Sequence, residues 1–195
     1  SYATSPITPN LYAELQLLLL TFSIGIQDAT TFPDYQCFTS NQTGNTIMLI
    51  VVGITSSPDL AIASNIGTSL ALFLTGAFLT GQLGVHIFGP RTRAWLFAIN
   101  LLQTSMVFAA AVLQLEDNPS STQPPNPNIT LAVIALLAFS AGSQVVMSRA
   151  LRITEISTAM ATAAWVDLLV DGRIWNRENR ARNRRVGFLG CLVAG

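Results

Sequence analysis

The chain has no lysine, one histidine and two cysteines, and only a tenth of its 195 residues are charged. An ordinary soluble domain is about a quarter charged. Twenty charged side chains are too few to cover a soluble surface of this size. Cys37 and Cys191 belong to very different segments, which excludes a disulfide framework or a cysteine metal cluster. The sole histidine, His86, has no HExxH-type neighbour and reads as an interfacial residue, so no metal and no cofactor are expected. A Ser-His-Asp set and a glycine-rich phosphate loop are missing too, and the chain reads as a non-enzyme. Strand-type alternation is absent. Helices are then the way to satisfy every backbone polar group inside lipid.

What the sequence does have is apolar residues in blocks, half of the chain in all. The blocks fall at Leu11 to Ile26, Thr43 to Ile54, Leu60 to Phe88, Ala94 to Leu115, Ile129 to Met147 and Ile156 to Val170, and another starts near Val186. This is the pattern of an all-α, polytopic transmembrane bundle forming one integral membrane domain over residues 1–195, with six to eight helices in full length. A helix needs about 20 residues to cross a hydrocarbon core about 30 Å thick. The second and sixth blocks, at about 1.5 Å per residue, reach only about 18 to 23 Å. The Pro- and Ser-rich stretch from Glu116 to Asn128 is a loop, and the stretch from Asp171 to Arg185 reads as a basic, solvated connector. The opening SYATSPITPN has neither a basic region nor a cleavage pattern and is not read as a signal peptide. The closing VGFLGCLVAG is an apolar run that has barely begun, so the natural protein is expected to continue beyond it.

The arginines discriminate between two topologies. If all six blocks cross, the six arginines between Arg173 and Arg185 fall opposite those at 91, 93, 149 and 152, against the positive-inside tendency of short loops. If the two short blocks enter and leave on one face, all ten arginines share a side, and Asp34, Asp59, Glu116 and Asp117 lie on the other. The charges favour this second, re-entrant arrangement, with the Arg-rich connector 173–185 cytoplasmic. A second block stretched to residues 41–58 would just permit a crossing.

The chain also repeats itself. LLTFSIGIQ, from Leu19 to Gln27, returns as LLAFSAGSQ from Leu136 to Gln144. Beyond a two-residue insertion, Thr39, Thr43 and Leu49 have counterparts in Thr158, Thr162 and Leu168. The recurrence of Ser and Gln, which composition does not favour, reads as a duplication, with a first repeat over about 11–90 and a second over about 129–195. Re-entrant short helices make the copies inverted; spanning ones make them parallel. Inverted repeats with broken helices place substrate sites at the membrane midplane in transporters.

The run GIQDATTFPDYQCFTSNQTGNTIMLIV resembles the YoaK-like family of uncharacterised multi-pass membrane proteins, a domain-of-unknown-function family. The marks are Gly25 to Asp28 closing the first helix, the Thr43-Gly44-Asn45 block opening the second, and Gly142 to Gln144 later on. At the second Thr-Gly position, Thr162 is followed by Ala163. The wording SRALRITEISTAMATAAWVDLL looks closest to the fungal branch. The resemblance runs from Tyr12 to the end; it implies an integral membrane protein and carries no activity with it.

Polar side chains at membrane depth are costly and usually face a bundle interior or a water-filled cavity. The candidate substrate-binding residues are therefore Gln27, Asp28, Asn41, Gln42, Thr43 and Asn45 in the first repeat, and Ser143, Gln144, Thr162 and Asp167 in the second. The competing account has Asn41 and Thr43 capping a helix, Gly44 permitting close packing, and Asp28 and Asp167 sitting near an interface. Gly67, Gly76, Gly81 and Gly84 read as close helix contacts. The arginine cluster reads as topogenic, with anionic lipid headgroups as a second reading and nucleic acid excluded as a partner. The expected function is transport of a small molecule or ion across a lipid bilayer. The alternatives are a non-transporting scaffold or assembly factor and, less favoured, an intramembrane enzyme.

Overall fold

The computed structural model describes residues 5, 7, 10–55, 59–89, 91–117, 126–176 and 178–195. Among them the chain is all-α, with α1 Leu11–Tyr35, α2 Gln42–Ile54, α3 Leu60–Leu83, α4 Arg93–Glu116, α5 Pro127–Ala150, α6 Ala161–Leu169 and α7 Arg180–Ala194. A π-helical turn, Gly84–Phe88, prolongs α3. Polar side chains set the helix starts. Asn10, Asn41, Asp59, Thr92, Asn126 and Asn179 each accept a backbone N–H from the first turn of their helix. Only α6 begins without a side-chain cap, at Met160.

Four helices are long and apolar enough to cross a membrane: α1, α3 with its π-turn, α4 and α5. The chain is a polytopic membrane protein. Its two ends are easily told apart. Ile7 donates its N–H to the Arg91 carbonyl at 3.0 Å, so α1 and α4 start together at the arginine end. At the opposite, acidic end, Asn65 near the start of α3 donates to the Tyr35 carbonyl that closes α1, at 3.0 Å. The core is built around α5, which is buried over half of its apolar window and packs between α3 and α4 while also touching α1.

The short helices are hairpin arms. Gln42 and Asn45, in the first turn of α2, reach Ser69, nine residues after the start of α3. Further along, Met48 and Leu49 pack with Ile62 and Ile66. So α2 starts at depth, runs antiparallel to α3, and returns to the acidic end where α1 finished. The second arm mirrors it at the arginine end. Ala164 shares a core cluster with Phe188 and Leu189, while Asp167 and Asp171, farther along, pair with Arg185 near the start of α7. At 13 and 9 residues, α2 and α6 reach only about 20 and 14 Å.

Three expectations need correction. The sixth block does not become helical at Ile156. Residues 151–160 form a loop in which Ile153 and Ile156 are core residues and Thr158 adopts φ +58°, a left-handed conformation that a helix cannot continue through. The connector is not solvated throughout either. Helix α7 already begins at Arg180, because Asn179 caps it and carboxylates neutralise its first turns. Arg184 pairs with Glu14 at 2.6 Å and with Glu155 at 3.2 Å, and Arg180 also bonds Glu14. Lastly, the glycines of α3 are not one class. Gly76 meets the backbone of α5 and Gly84 the ring of Trp95, whereas nothing lies within 4 Å of a Cβ added at Gly67. Most of the loop between α4 and α5, residues 118–125, lies outside the described residues.

Candidate functional site

Asp28 and Asn45 both turn inward, onto the connection between α1 and α2. One Asp28 oxygen accepts the Thr39 N–H at 2.9 Å, the Ser40 N–H at 3.0 Å and the Thr39 hydroxyl at 3.1 Å; the other accepts the Ser40 hydroxyl. The fully buried Asn45 accepts the Phe38 N–H at 2.9 Å and donates to the Phe38 carbonyl at 2.7 Å. Its amide nitrogen is also 2.9 Å from Gln42 Oε1 and 3.1 Å from Ser69 Oγ. Asn41 caps α2 through the Gly44 N–H at 3.2 Å, and a Cβ on Gly44 would press the Phe38 ring at 3.1 Å. These residues fold residues 36–41 back along α1 and hold the start of α2 at depth.

That placement opens a cavity of about 880 Å³. Asn41, Gln42, Thr43 and Gly44 line it from the first turn of α2, and Ala161, Thr162 and Ala163 line it from the first turn of α6. The two half-helices thus enter from opposite ends of the bundle and present their N-termini to one space. The first N–H groups of a helix lack intrahelical partners and carry its positive dipole end. In α6 no side chain covers them. Asp28 and Arg149 border the same cavity. Thr43 and Thr162, separated by 119 positions in the chain, are here on facing walls.

A second cavity, about 280 Å³, lies between α1, α4 and α5. Both serines and both glutamines of the repeated motif line it: Ser23 and Gln27 from α1, Ser140 and Gln144 from α5. Gln27 donates to Ser23 Oγ at 3.1 Å and Gln144 to the Leu20 carbonyl at 3.2 Å. The remaining polar wall is α4, through Gln103 and Thr104. Gln103 was not among the expected site residues; its signal is an amide in the middle of an apolar span.

The other candidates are placed apart. Ser143 is fully buried but serves helix packing: its hydroxyl donates to the Phe139 carbonyl at 2.9 Å and receives the Thr80 hydroxyl at 2.9 Å. Asp167 is more than half exposed and faces Arg185 at 3.6 Å, bordering a third cavity of about 400 Å³ at the arginine end. His86 is exposed in the π-turn. Among the described residues no group of three or more His, Cys, Asp or Glu side chains could hold a metal ion.

The glycines of the repeated motif sit at two tight crossings. A Cβ on Gly142 would fall 2.1 Å from the Phe73 carbonyl oxygen, and one on Gly76 2.4 Å from that of Phe139, where α3 meets α5. A Cβ on Gly25 would fall 2.4 Å from the Leu192 carbonyl oxygen, and one on Gly195 2.1 Å from that of Phe22, where α1 meets α7.

The chain has no match among curated proteins and none among solved structures. Residues 16–195 match the family model described as "Protein of unknown function (DUF1275)". The four long apolar helices, the Thr43-Gly44-Asn45 turn that seats α2 and this match over nearly the whole chain agree: the protein belongs to the DUF1275 family.

Proposed function

We propose that this protein moves a small solute across a membrane, the solute passing through the cavity where the first turns of α2 and α6 face each other. The observation that carries the reading is that pair of half-helices meeting at one cavity of about 880 Å³. Spanning a bilayer with two short arms exposes unpaired backbone N–H groups at depth, and such ends are tolerated where they line an aqueous space. Discontinuous helices that aim their N-termini at a midplane site are a recurring transporter device.

Duplication supports the same reading. The α3–α5 crossing uses Phe73, Gly76, Phe139 and Gly142; the α1–α7 crossing uses Leu192, Gly195, Phe22 and Gly25. A shift of 117 residues relates Phe22 and Gly25 to Phe139 and Gly142, and a shift of 119 relates Phe73 and Gly76 to Leu192 and Gly195. The second shift is the one that carries Thr43 onto Thr162. Two copies of α1-α2-α3, inverted and exchanging their third helices, account for both crossings. With arginines gathered at one end, short-loop charge bias favours the cytoplasm for that end, including the Arg-rich stretch 173–185 that runs into α7.

A scaffold role is favoured by one observation: Asp28 and Asn45 have their hydrogen bonds taken up inside the α1–α2 connection. Flux separates the two. Full-length protein with Cys37 and Cys191 replaced is reconstituted in vesicles and tested for osmotic swelling with a panel of small solutes. Transport predicts solute-dependent swelling that a bulky thiol reagent blocks in Thr43→Cys and Thr162→Cys but not in Trp175→Cys, on the exposed loop before α7. Swelling no faster than in protein-free vesicles leaves the scaffold role.

A further inference from the structure

We propose that the cavity of about 280 Å³ between α1, α4 and α5 is a binding site for a small, neutral, polar solute held by the amides of Gln27, Gln103 and Gln144. The proposal rests on the transport reading only for passage of the solute once bound; binding itself is tested without flux.

Glutamine is an uncharged group with both donor and acceptor capacity, and three of them from three helices meet here. Gln103 is 3 % exposed, and neither its Nε2 nor its Oε1 has a hydrogen-bond partner. Gln27 is 7 % exposed and its Oε1 is likewise unpartnered. Buried polar atoms are nearly always paired, so orphans gathered at one cavity need an explanation in what the cavity holds. Both atoms of the Gln103 amide are orphaned, so exchanging its oxygen and nitrogen leaves one free donor and one free acceptor all the same.

Chemistry narrows the class. None of the residues lining this cavity is ionisable, and an unpaired charge brought out of water would meet no counter-charge. Anions and cations are therefore poor occupants. A solute offering both a carbonyl-like acceptor and N–H or O–H donors complements the free Gln103 donor and the free Gln27 and Gln103 acceptors. Volume bounds its size: at about 30 Å³ per water in the liquid, the space holds about nine waters, or a solute of a few heavy atoms with some hydration. The apolar wall, Leu20, Val107, Phe108 and Ala111, suits a short hydrocarbon part.

Acetamide and acetate make a discriminating pair of probes, nearly the same shape and differing in charge. In full-length protein held in lipid nanodiscs, saturation-transfer NMR is expected to show transfer to the acetamide methyl and little to the acetate methyl. Gln103→Met keeps the side-chain volume and removes the orphaned amide. It is expected to cut acetamide transfer severalfold and to raise the thermal midpoint, a gain that mere loss of structure would not produce. Gln27→Met carries the same expectation should the first variant fail to fold. Equal transfer to both probes, or acetamide transfer that neither substitution alters, overturns the site. A lowered midpoint in both variants would show instead that the amides bond within the membrane assembly, and overturns it too. Acetamide binding without vesicle swelling would keep the site and remove transport; swelling without acetamide binding would do the reverse.

Discussion

Asn45 has no exposed surface and its amide closes a ring of contacts, receiving the Phe38 N–H and donating to the Phe38 carbonyl, with Gln42 Oε1 and Ser69 Oγ both within reach of its second hydrogen. Ser69 in turn donates to the same Phe38 carbonyl at 2.6 Å. Replacing Asn45 with Leu keeps the branched shape but leaves the Phe38 peptide unpaired on its donor side. A buried group stripped of its partner costs about 1–3 kcal/mol, and the shared network adds to that. Asn45→Leu is expected to destabilise the protein by about 3 kcal/mol in reversible unfolding in mild detergent, whereas Thr43→Val, exposed at the cavity wall, should change stability by less than about 0.5 kcal/mol. Sequence reading finds Asn45 and Asp28 because polar residues are costly at depth, but it does not tell a side chain that folds its own loop from one that greets a solute. Both look alike in one dimension. The distinction rests on the partners, Phe38 and Ser69 for one and Thr39 and Ser40 for the other, and these are set by the fold-back of residues 36–41. Gln103 shows the converse: an amide within an apolar span, with Asn100 one turn before it, is not marked as a site residue until α1 and α5 bring Gln27 and Gln144 beside it.

Glycines define the next scale, because helices approach most closely where a side chain is missing. At Gly142 an added Cβ would overlap a backbone carbonyl oxygen of α3 at 2.1 Å, and a backbone cannot rotate aside as a side chain can. Gly142→Ala must push α3 and α5 apart, and overpacking of this kind costs about 1–3 kcal/mol. Gly67→Ala, on the same α3 but with nothing within 4 Å, should instead stabilise the helix, by about 0.5–1 kcal/mol. Thermal unfolding of the two variants under one set of conditions is expected to move the midpoint in opposite directions. Sequence periodicity marks both glycines equally as small residues; only the packing partner separates them. Element boundaries obey a similar logic. Helix α2 was legible nearly to the residue because Asn41 is a strong cap before an apolar run. Helix α6 was not: Ile153 and Ile156 look helical but are anchored as loop residues, and the left-handed Thr158 has no composition signal. The start of α7 was hidden because its arginines look solvated until Glu14 and Glu155, far away in the chain, come to meet them.

Across the whole molecule, the most consequential feature is where the two short arms turn. Length marks the second block as short for a span, though residues 41–58 would just permit one, and the acidic and basic groups separate if it does not cross. The structure puts Asp34, in the last turn of α1, and Asp59, the cap of α3, at one end. Arg91, bonded to Ile7 beside the start of α1, is at the other. No crossing is therefore expected between Asp34 and Asp59, and one between Asp59 and Arg91. Single cysteines at these three positions, on the full-length protein with Cys37 and Cys191 replaced, test this with a membrane-impermeant thiol reagent applied to sealed vesicles. Positions 34 and 59 are expected to label from the same side and position 91 only from the other. Labelling of 34 and 91 together, opposite 59, would mean that α2 crosses, and α2 could then no longer meet α6 from the opposing face. The shared cavity, the inverted relation of the copies and the exposed helix start at Met160 would lose their common cause together, which makes this labelling pattern the sharpest test of the architecture on which the transport proposal rests.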